Sequence, residues 1–201
     1  MFSLLRTGLM FLGAIWLMEA PATASTVMRA SSGHSSLESL TATVDTFWVL
    51  TAATLVLMMQ IGFMLLEAGS VRTKNAISVA QKNMLDFCFS TIAFTLVGFG
   101  VAFGAASTWL PIGTDGGMYF LDGISGESAT FFIFQVMFCG TAATIISGAV
   151  AERMRLRAYV VLSTILAMLV YPVFVHWAWG NALAPSSGAF LANAGFVDFA
   201  G

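Results

Sequence analysis

Aromatic side chains and one imidazole close a long apolar run, in "YPVFVHWAWGNALAP" at residues 171–185. Trp179 and Trp177 are the residues that could do chemistry here. The face of an indole ring attracts a cation, by about 2 kcal/mol where water is excluded. The ordinary role of tryptophan at the end of a membrane span is to anchor the helix at the lipid–water interface. The sequence alone leaves both roles open.

A second pair of rings stands in the apolar run "FFIFQVMFCG", where Phe134 and Phe138 are four residues apart. That spacing places two side chains on one face of a helix. Packing between helices is the ordinary explanation for such a pair. The alternative is that the two rings are stacked across a pore.

Two ionisable residues accompany the tryptophans in the sequence, one shortly before Trp179 and one further along the chain. His176 stands one helical turn before Trp179 and is predicted to be a hydrogen-bonded residue at the membrane surface, with a proton relay as the alternative. Asp198, in "GFVDFAG", is predicted to cap the N-terminus of a following helix. A carboxylate there would also shape the local electric field.

Three more carboxylates stand at the ends of apolar runs, and we expect each to form an ion pair. Glu152 is expected to pair with its neighbour Arg153. No two carboxylates are predicted to pair inside a span, which argues against an ion-coupled pump in this segment. Glu67 and Asp86 are expected to pair with one of the cations between them, Arg72, Lys74 or Lys82.

Enzymatic and metal-binding patterns are missing from the sequence. Cys88 and Cys139 match no metal-ligand spacing and are predicted to be free thiols. No Ser/His/Asp or Cys/His arrangement appears, so we expect no enzyme, no cofactor and no metal site. The net charge of −2 is too small to indicate a nucleic acid partner.

The composition predicts an all-α integral membrane protein. Of the 201 residues, 58% are hydrophobic and only 9% are charged, whereas soluble domains carry about 25% charged residues. A helix needs about 20 apolar residues to cross a bilayer. Four runs after Asp45 meet that length, at about 46–68, 84–104, 130–151 and 158–180.

Basic residues predict the direction of these spans. Six of the eight Lys and Arg residues lie in two segments, "VRTKNAISVAQK" after the first run and "ERMRLR" after the third. Loops rich in Lys and Arg stay in the cytosol. The N-terminus and the stretch after residue 180 are therefore predicted to lie on the outer side of the cell membrane.

The N-terminal residues agree with that direction. Residues 1–24 have Arg6, a short apolar stretch and the small-residue site "ATAS", which is typical of a cleaved secretory signal. Residues 25–44 are predicted to be an exposed lead-in, and residues 45–201 to form the membrane domain.

Several motifs in order resemble the ammonium transporter (Amt/Mep/Rh) family, from about residue 45 to residue 201. "GFMLLEAGSVRTKNA" and "QKNMLDF" look like the end of its first span and the start of its second. "FQVMFCGTAATIISGAVAERMRL" is similar to its third span. "HWAWGNALAP" and "GFVDFAG" are similar to the outer end of its fourth span and the entry to its fifth, and the tryptophan favours the Amt branch.

The resemblance implies roles for four residues. Trp179 matches the tryptophan that holds ammonium by a cation–π contact. Phe138 matches the upper ring of a phenylalanine gate, and Phe134 is its neighbour on the same helix. Asp198 matches an aspartate that orders the outer site without touching the ion, whereas His176 matches no functional position.

The resemblance also implies a fold and partners. The family fold has eleven helices in two inverted halves, of which this chain would hold four and the start of a fifth. The twin histidines of the pore would lie beyond it, so we do not expect the chain to conduct alone.

Implied partners are ammonium or ammonia, methylammonium as a further candidate, the lipid bilayer, a homotrimer of complete subunits and a cytoplasmic regulatory protein. Two alternatives stay open: an ammonium-sensing domain of a signalling protein, and a truncated membrane protein that does not transport.

Overall fold

The computed structural model describes residues 33–106, 112–115, 118–183 and 188–199 of the chain. The predicted signal peptide, residues 1–24, lies outside these residues. The chain divides into two units, residues 1–45 and residues 46–201. In the described part of the first unit, the predicted lead-in is helical from Gly33, and its side chains from Leu37 to Val44 are exposed.

Helices make up nearly all of the described structure, because a helix satisfies its backbone hydrogen bonds internally in lipid. Tight 3₁₀ turns lie at Thr73–Asn75, Tyr119–Leu121 and Gly180–Ala182, and wide π turns at Phe94–Gly98 and Leu166–Val170. The α-helices are α1 (Gly33–Ser70), α2 (Ala76–Ala93), α3 (Phe99–Phe103), α4 (Gly126–Ala149), α5 (Leu156–Ile165), α6 (Tyr171–Trp179) and α7 (Phe190–Asn193).

In the described part of the chain, four continuous helical segments are long and apolar enough to cross a membrane, as the sequence predicts. They are span 1 (Leu37–Ser70), span 2 (Thr73–Phe103), span 3 (Gly126–Ala149) and span 4 (Leu156–Ala182). Span 2 begins at Thr73, well before the predicted start near residue 84. The early turns carry Lys82 and Asn83, which lower the hydropathy of the sequence although both side chains are buried.

Neighbouring spans run in opposite directions, so the bundle has two ends. The arginine end carries the connections 71–72 and 150–155. The tryptophan end carries residues 104–106, 112–115, 118–125, 180–183 and 188–199. At the tryptophan end, β1 (Ala105–Ala106) pairs antiparallel with β2 (Gly113–Asp115).

Spans 2 and 4 approach each other where both widen into a π turn. A Cβ added at Gly98 would lie 2.5 Å from the carbonyl oxygen of Ala167, so only glycine fits this contact. Pro172 follows the π turn of span 4 and has no N–H to donate to the preceding turn. The widened turns therefore mark where the two spans deform to pack closely.

An aromatic core fills the bundle towards the tryptophan end. Phe99 packs edge-on against Phe132 with ring centroids 5.2 Å apart, and it lies 5.2 Å from Phe103. Phe94 joins the same group at 6.1 Å from Phe99. These rings come from spans 2 and 3, and they pack the two spans together.

Candidate functional site

Trp179 ends α6 at the tryptophan end and keeps 37% of its surface exposed. Phe174 meets it edge-on, with ring centroids 5.9 Å apart. Phe196 meets it in the same manner at 6.0 Å. The indole is therefore held by two neighbouring rings while part of its surface stays accessible.

The segment after span 4 turns back to bring Asp198 to this tryptophan. Trp177 contacts Phe190 at 5.2 Å between ring centroids, which docks α7 against α6. Gly195 then adopts a φ of +94°, a left-handed conformation that glycine tolerates, and the chain reverses. The backbone N–H of Phe196 donates to the carbonyl of Leu191 at 2.9 Å and closes the turn.

Asp198 accepts a hydrogen bond from the indole nitrogen of Trp179, with Nε1 and Oδ2 3.2 Å apart. This bond joins two residues that the sequence singled out separately. It fixes the plane of the indole and places a carboxylate at its edge. The helix that Asp198 was expected to cap would begin where the described residues end, so the capping role stays a prediction.

Phe134 and Phe138 share one face of α4, as their spacing predicts. Their ring centroids are 4.8 Å apart and their planes meet at 70°. Both side chains are half-buried. Among the described residues, ring contacts join Phe138 to Phe134 and join Trp179 to its own neighbours, and none joins the two groups.

His176 is fully buried rather than placed at the membrane surface, which differs from the prediction. Its Nδ1–H donates to the carbonyl oxygen of Ala102 at 3.0 Å, so it links span 4 to span 2. The predicted hydrogen bond of His176 is present, but the side chain lies in the packed interior of the bundle. Within the described ranges, no group of three or more His, Cys, Asp or Glu side chains could hold a metal.

A buried cluster of polar side chains near the arginine end was missed by the sequence analysis. Glu67 accepts hydrogen bonds from Asn83 Nδ2 and Ser147 Oγ, each at 2.8 Å. Lys82 Nζ donates to the carbonyl of Ser147 at 2.9 Å and lies 4.9 Å from the ring centre of Tyr159. The cluster, which we call the polar cluster, consists of Gln60, Glu67, Lys82, Asn83, Asp86, Thr144, Ser147, Tyr159 and Ser163.

Among the described residues, neither Glu67 nor Asp86 forms the expected close ion pair, although Lys82 lies near enough to attract both carboxylates. Both carboxylates lie inside spans and are buried, and their close partners are amides and hydroxyls. The signal was available in span 2, where Asn83, Asp86 and Ser90 repeat at helical spacing along one otherwise apolar face. Placing the start of span 2 near residue 84 concealed it.

Glu152 was expected to pair with Arg153, but it binds Arg72. Its carboxylate accepts from Arg72 Nε at 3.0 Å, from the backbone N–H of Arg72 at 3.1 Å, and from Asn75 Nδ2 at 2.7 Å. The hydrogen bonds from Asn75 and Arg72 lower the pKa of Glu152 to about 2. The carboxylate ties the two connections of the arginine end together.

Comparison with known proteins identifies the family. The model of the Ammonium Transporter Family matches residues 47–201. A putative ammonium transporter of Synechocystis is 48% identical over 79% of this chain and 30% of its own length. The ammonium transporter Amt2 of Archaeoglobus fulgidus is 41% identical, over 79% of this chain and 34% of its own length.

A solved structure titled Sensor Amt Protein superimposes with a TM-score of 0.76 at 39% identity, covering 82% of this chain and 41% of its own. The chain spans about a third of the length of the curated relatives that it matches. The alternating spans, the order of the motifs and these matches agree, and the chain therefore belongs to the ammonium transporter family.

Proposed function

We propose that this chain forms the entrance of an ammonium transporter, where Trp179 recruits ammonium from outside the cell. The observation that supports this most is the hydrogen bond from Trp179 to Asp198 at 3.2 Å. It orients a partly exposed indole, whose face attracts a cation by about 2 kcal/mol once water is displaced. Asp198 adds negative charge nearby and holds the ring without being a ligand itself.

Phe138 and Phe134 then form a gate behind this entrance. A charge at the centre of a bilayer costs about 3 kcal/mol even on the translocon scale, so ammonium has to lose its water gradually. Aromatic faces replace part of a hydration shell without holding the ion tightly. The edge-on arrangement of the two rings, with centroids 4.8 Å apart, lets Phe138 present its ring while Phe134 supports it.

The orientation and assembly belong to the same proposal. The arginine end faces the cytosol of a cell whose inner membrane holds the protein, and the tryptophan end faces outwards. Because the chain covers about a third of its relatives' length, transport requires the rest of the fold. The complete subunits form a homotrimer, and the arginine end offers a surface for a cytoplasmic regulatory protein.

Uptake of methylammonium by cells that express the whole protein tests the recruitment site. Trp179→Leu should lower the affinity for methylammonium by about 30-fold, which corresponds to about 2 kcal/mol. Phe138→Ala should lower uptake as well, because the gate loses its ring. Trp48→Leu is the matched control, since Trp48 is 70% exposed on span 1, and it should leave uptake unchanged.

Unchanged uptake in both site variants would contradict the assignment of Trp179 and Phe138.

A second candidate function is ammonium sensing, which the similarity to the solved sensor Amt protein favours. Sensing without transport predicts no uptake above that of cells lacking the protein, while ammonium still changes the fluorescence of Trp179. A truncated, non-transporting protein predicts neither signal.

A further inference from the structure

Asp86 is a carboxylate that the proposed transport site does not use. It lies in span 2, its side chain is 0% exposed, and spans 1, 3 and 4 all contribute polar groups around it. Burying an ionised carboxylate is unfavourable unless donors or an opposite charge compensate for it. The hydrogen-bond donors around Asp86 therefore decide whether its carboxyl is ionised or protonated.

The hydroxyl of Thr144 has another acceptor for its hydrogen. Thr144 Oγ1 lies 3.3 Å from Asp86 Oδ2 but only 3.1 Å from the carbonyl oxygen of Gly140. The same oxygen already accepts the amide N–H of Gln60. A threonine hydroxyl has one hydrogen, and the backbone carbonyl is the closer acceptor. Thr144 therefore offers Asp86 a lone pair.

Two further hydroxyls lie within hydrogen-bonding reach of the Asp86 carboxylate, and each also has a backbone carbonyl to which it can donate its single hydrogen. Tyr159 donates to the carbonyl of Ala143 at 3.1 Å, and Ser163 donates to the carbonyl of Val160 at 3.1 Å. Each oxygen then presents lone pairs to its surroundings. When these hydrogens go to the backbone carbonyls, Asp86 faces oxygens that can only accept from it.

Three buried oxygens of the polar cluster have no hydrogen-bond partner among the described residues, namely Asp86 Oδ1, Gln60 Oε1 and Asn83 Oδ1. Gln60 is more than nine-tenths buried, and its amide contacts the same Thr144 that faces Asp86. An excess of acceptors in one buried place means that a hydrogen is needed there. A single proton on the carboxyl would supply it.

The charges of the polar cluster lead to the same conclusion. Glu67 is compensated as an anion by donors from Asn83 and Ser147, and Lys82 is bonded beside it. Lys82 attracts both carboxylates, and one cation cannot balance two anions, so Asp86 has no cation of its own. The titratable groups that face Asp86 are Glu67 from span 1, Lys82 from span 2, Cys139 from span 3 and Tyr159 from span 4.

We propose that Asp86 is a proton-binding site, whose carboxyl is neutral at neutral pH and donates its O–H to the surrounding oxygens. A carboxylate oxygen gains one proton from water, no other bond breaks, and nothing is oxidised or reduced. The proton joins spans 2, 3 and 4 through Asp86, Thr144 and Tyr159. The site lies away from the tryptophan end and does not depend on ammonium binding.

Infrared spectroscopy of the purified whole protein tests this, because a protonated carboxyl has a carbonyl-stretch band that ionised carboxylates lack. At neutral pH we expect a band that shifts in heavy water and is lost in Asp86→Asn. The exposed carboxylate Asp122 provides the matched control, and Asp122→Asn should keep the band. Glu67→Gln should keep it as well, because Glu67 is bonded as an anion.

Neighbour variants keep the test valid if Asp86→Asn does not fold. Thr144→Val should move the band by changing an oxygen that faces the carboxyl. Thr164→Val should not, because Thr164 donates to the carbonyl of Val160 in its own helix. Absence of the band in the unmodified protein at neutral pH overturns the proposal. A band that persists in Asp86→Asn and disappears in Glu67→Gln also overturns it.

Discussion

Glu152 shows how one residue can fasten two distant connections. Its carboxylate accepts three donors from Arg72 and Asn75, which come about 80 positions earlier in the chain. Its φ of +60° is left-handed, an unfavourable conformation for a residue with a Cβ. The hydrogen bonds hold it in that conformation at the arginine end.

This contact predicts a pH dependence of stability. The pKa of Glu152 is lowered from 4.5 to about 2, so its stabilisation is present above pH 4.5 and is lost as the pH falls towards 2. The melting temperature of the unmodified protein should therefore fall over that window. Glu152→Gln should start lower at neutral pH and lack this step, as measured by thermal unfolding in detergent.

Glu127 provides the control, because it is an exposed glutamate in the first turn of α4, at the opposite end of span 3. Glu127→Gln should keep the acid-induced step of the unmodified protein. If Glu152→Gln retained the full step, the stabilisation would have to come from another carboxylate.

At the residue scale, the sequence predicted contacts that are local and missed those that are distant. Phe134 and Phe138 meet because helical spacing brings them together. The expected pair of Glu152 and Arg153 was chosen from adjacency, whereas the real partner, Arg72, comes close only after two more spans have folded. No periodicity encodes such a contact.

At the scale of elements, span 2 carries a close contact with span 4. The π turn Phe94–Gly98 brings Gly98 against the carbonyl of Ala167 in the π turn of span 4. The hydropathy pattern predicted both spans but neither π turn, because one extra residue per turn hardly changes an apolar run. The position of a close contact depends on the partner helix.

Gly98→Ala should therefore separate spans 2 and 4. Its Cβ would lie 2.5 Å from the backbone oxygen of Ala167, which cannot rotate away. Overpacking of this kind destabilises by about 1–3 kcal/mol. Gly62→Ala is the matched control, because no neighbour lies within 4 Å of the added Cβ, and it should be neutral or stabilise by about 0.5–1 kcal/mol. Equal stabilities of the two variants in denaturant unfolding would exclude a close contact at Gly98.

At the scale of the whole molecule, the orientation of the spans in the membrane decides from which side the aromatic site can receive ammonium. Four spans of alternating direction place Trp179 and Arg155 at opposite ends of the bundle. The sequence predicted this alternation from the basic segments, because each apolar run must cross the bilayer once. It could not predict the polar cluster, which depends on side chains from all four spans meeting near the arginine end.

Cysteine labelling tests the direction in which the bundle lies. Asp122→Cys and Arg155→Cys place thiols on exposed positions at the tryptophan end and the arginine end, in a protein whose Cys88 and Cys139 are replaced by alanine. A maleimide that cannot cross membranes should react with Asp122→Cys in intact cells, and with Arg155→Cys only after permeabilisation. Basic segments stay in the cytosol because moving them across the membrane is unfavourable. Labelling of Arg155→Cys in intact cells would put Trp179 on the cytosolic side, where it could not receive ammonium from outside.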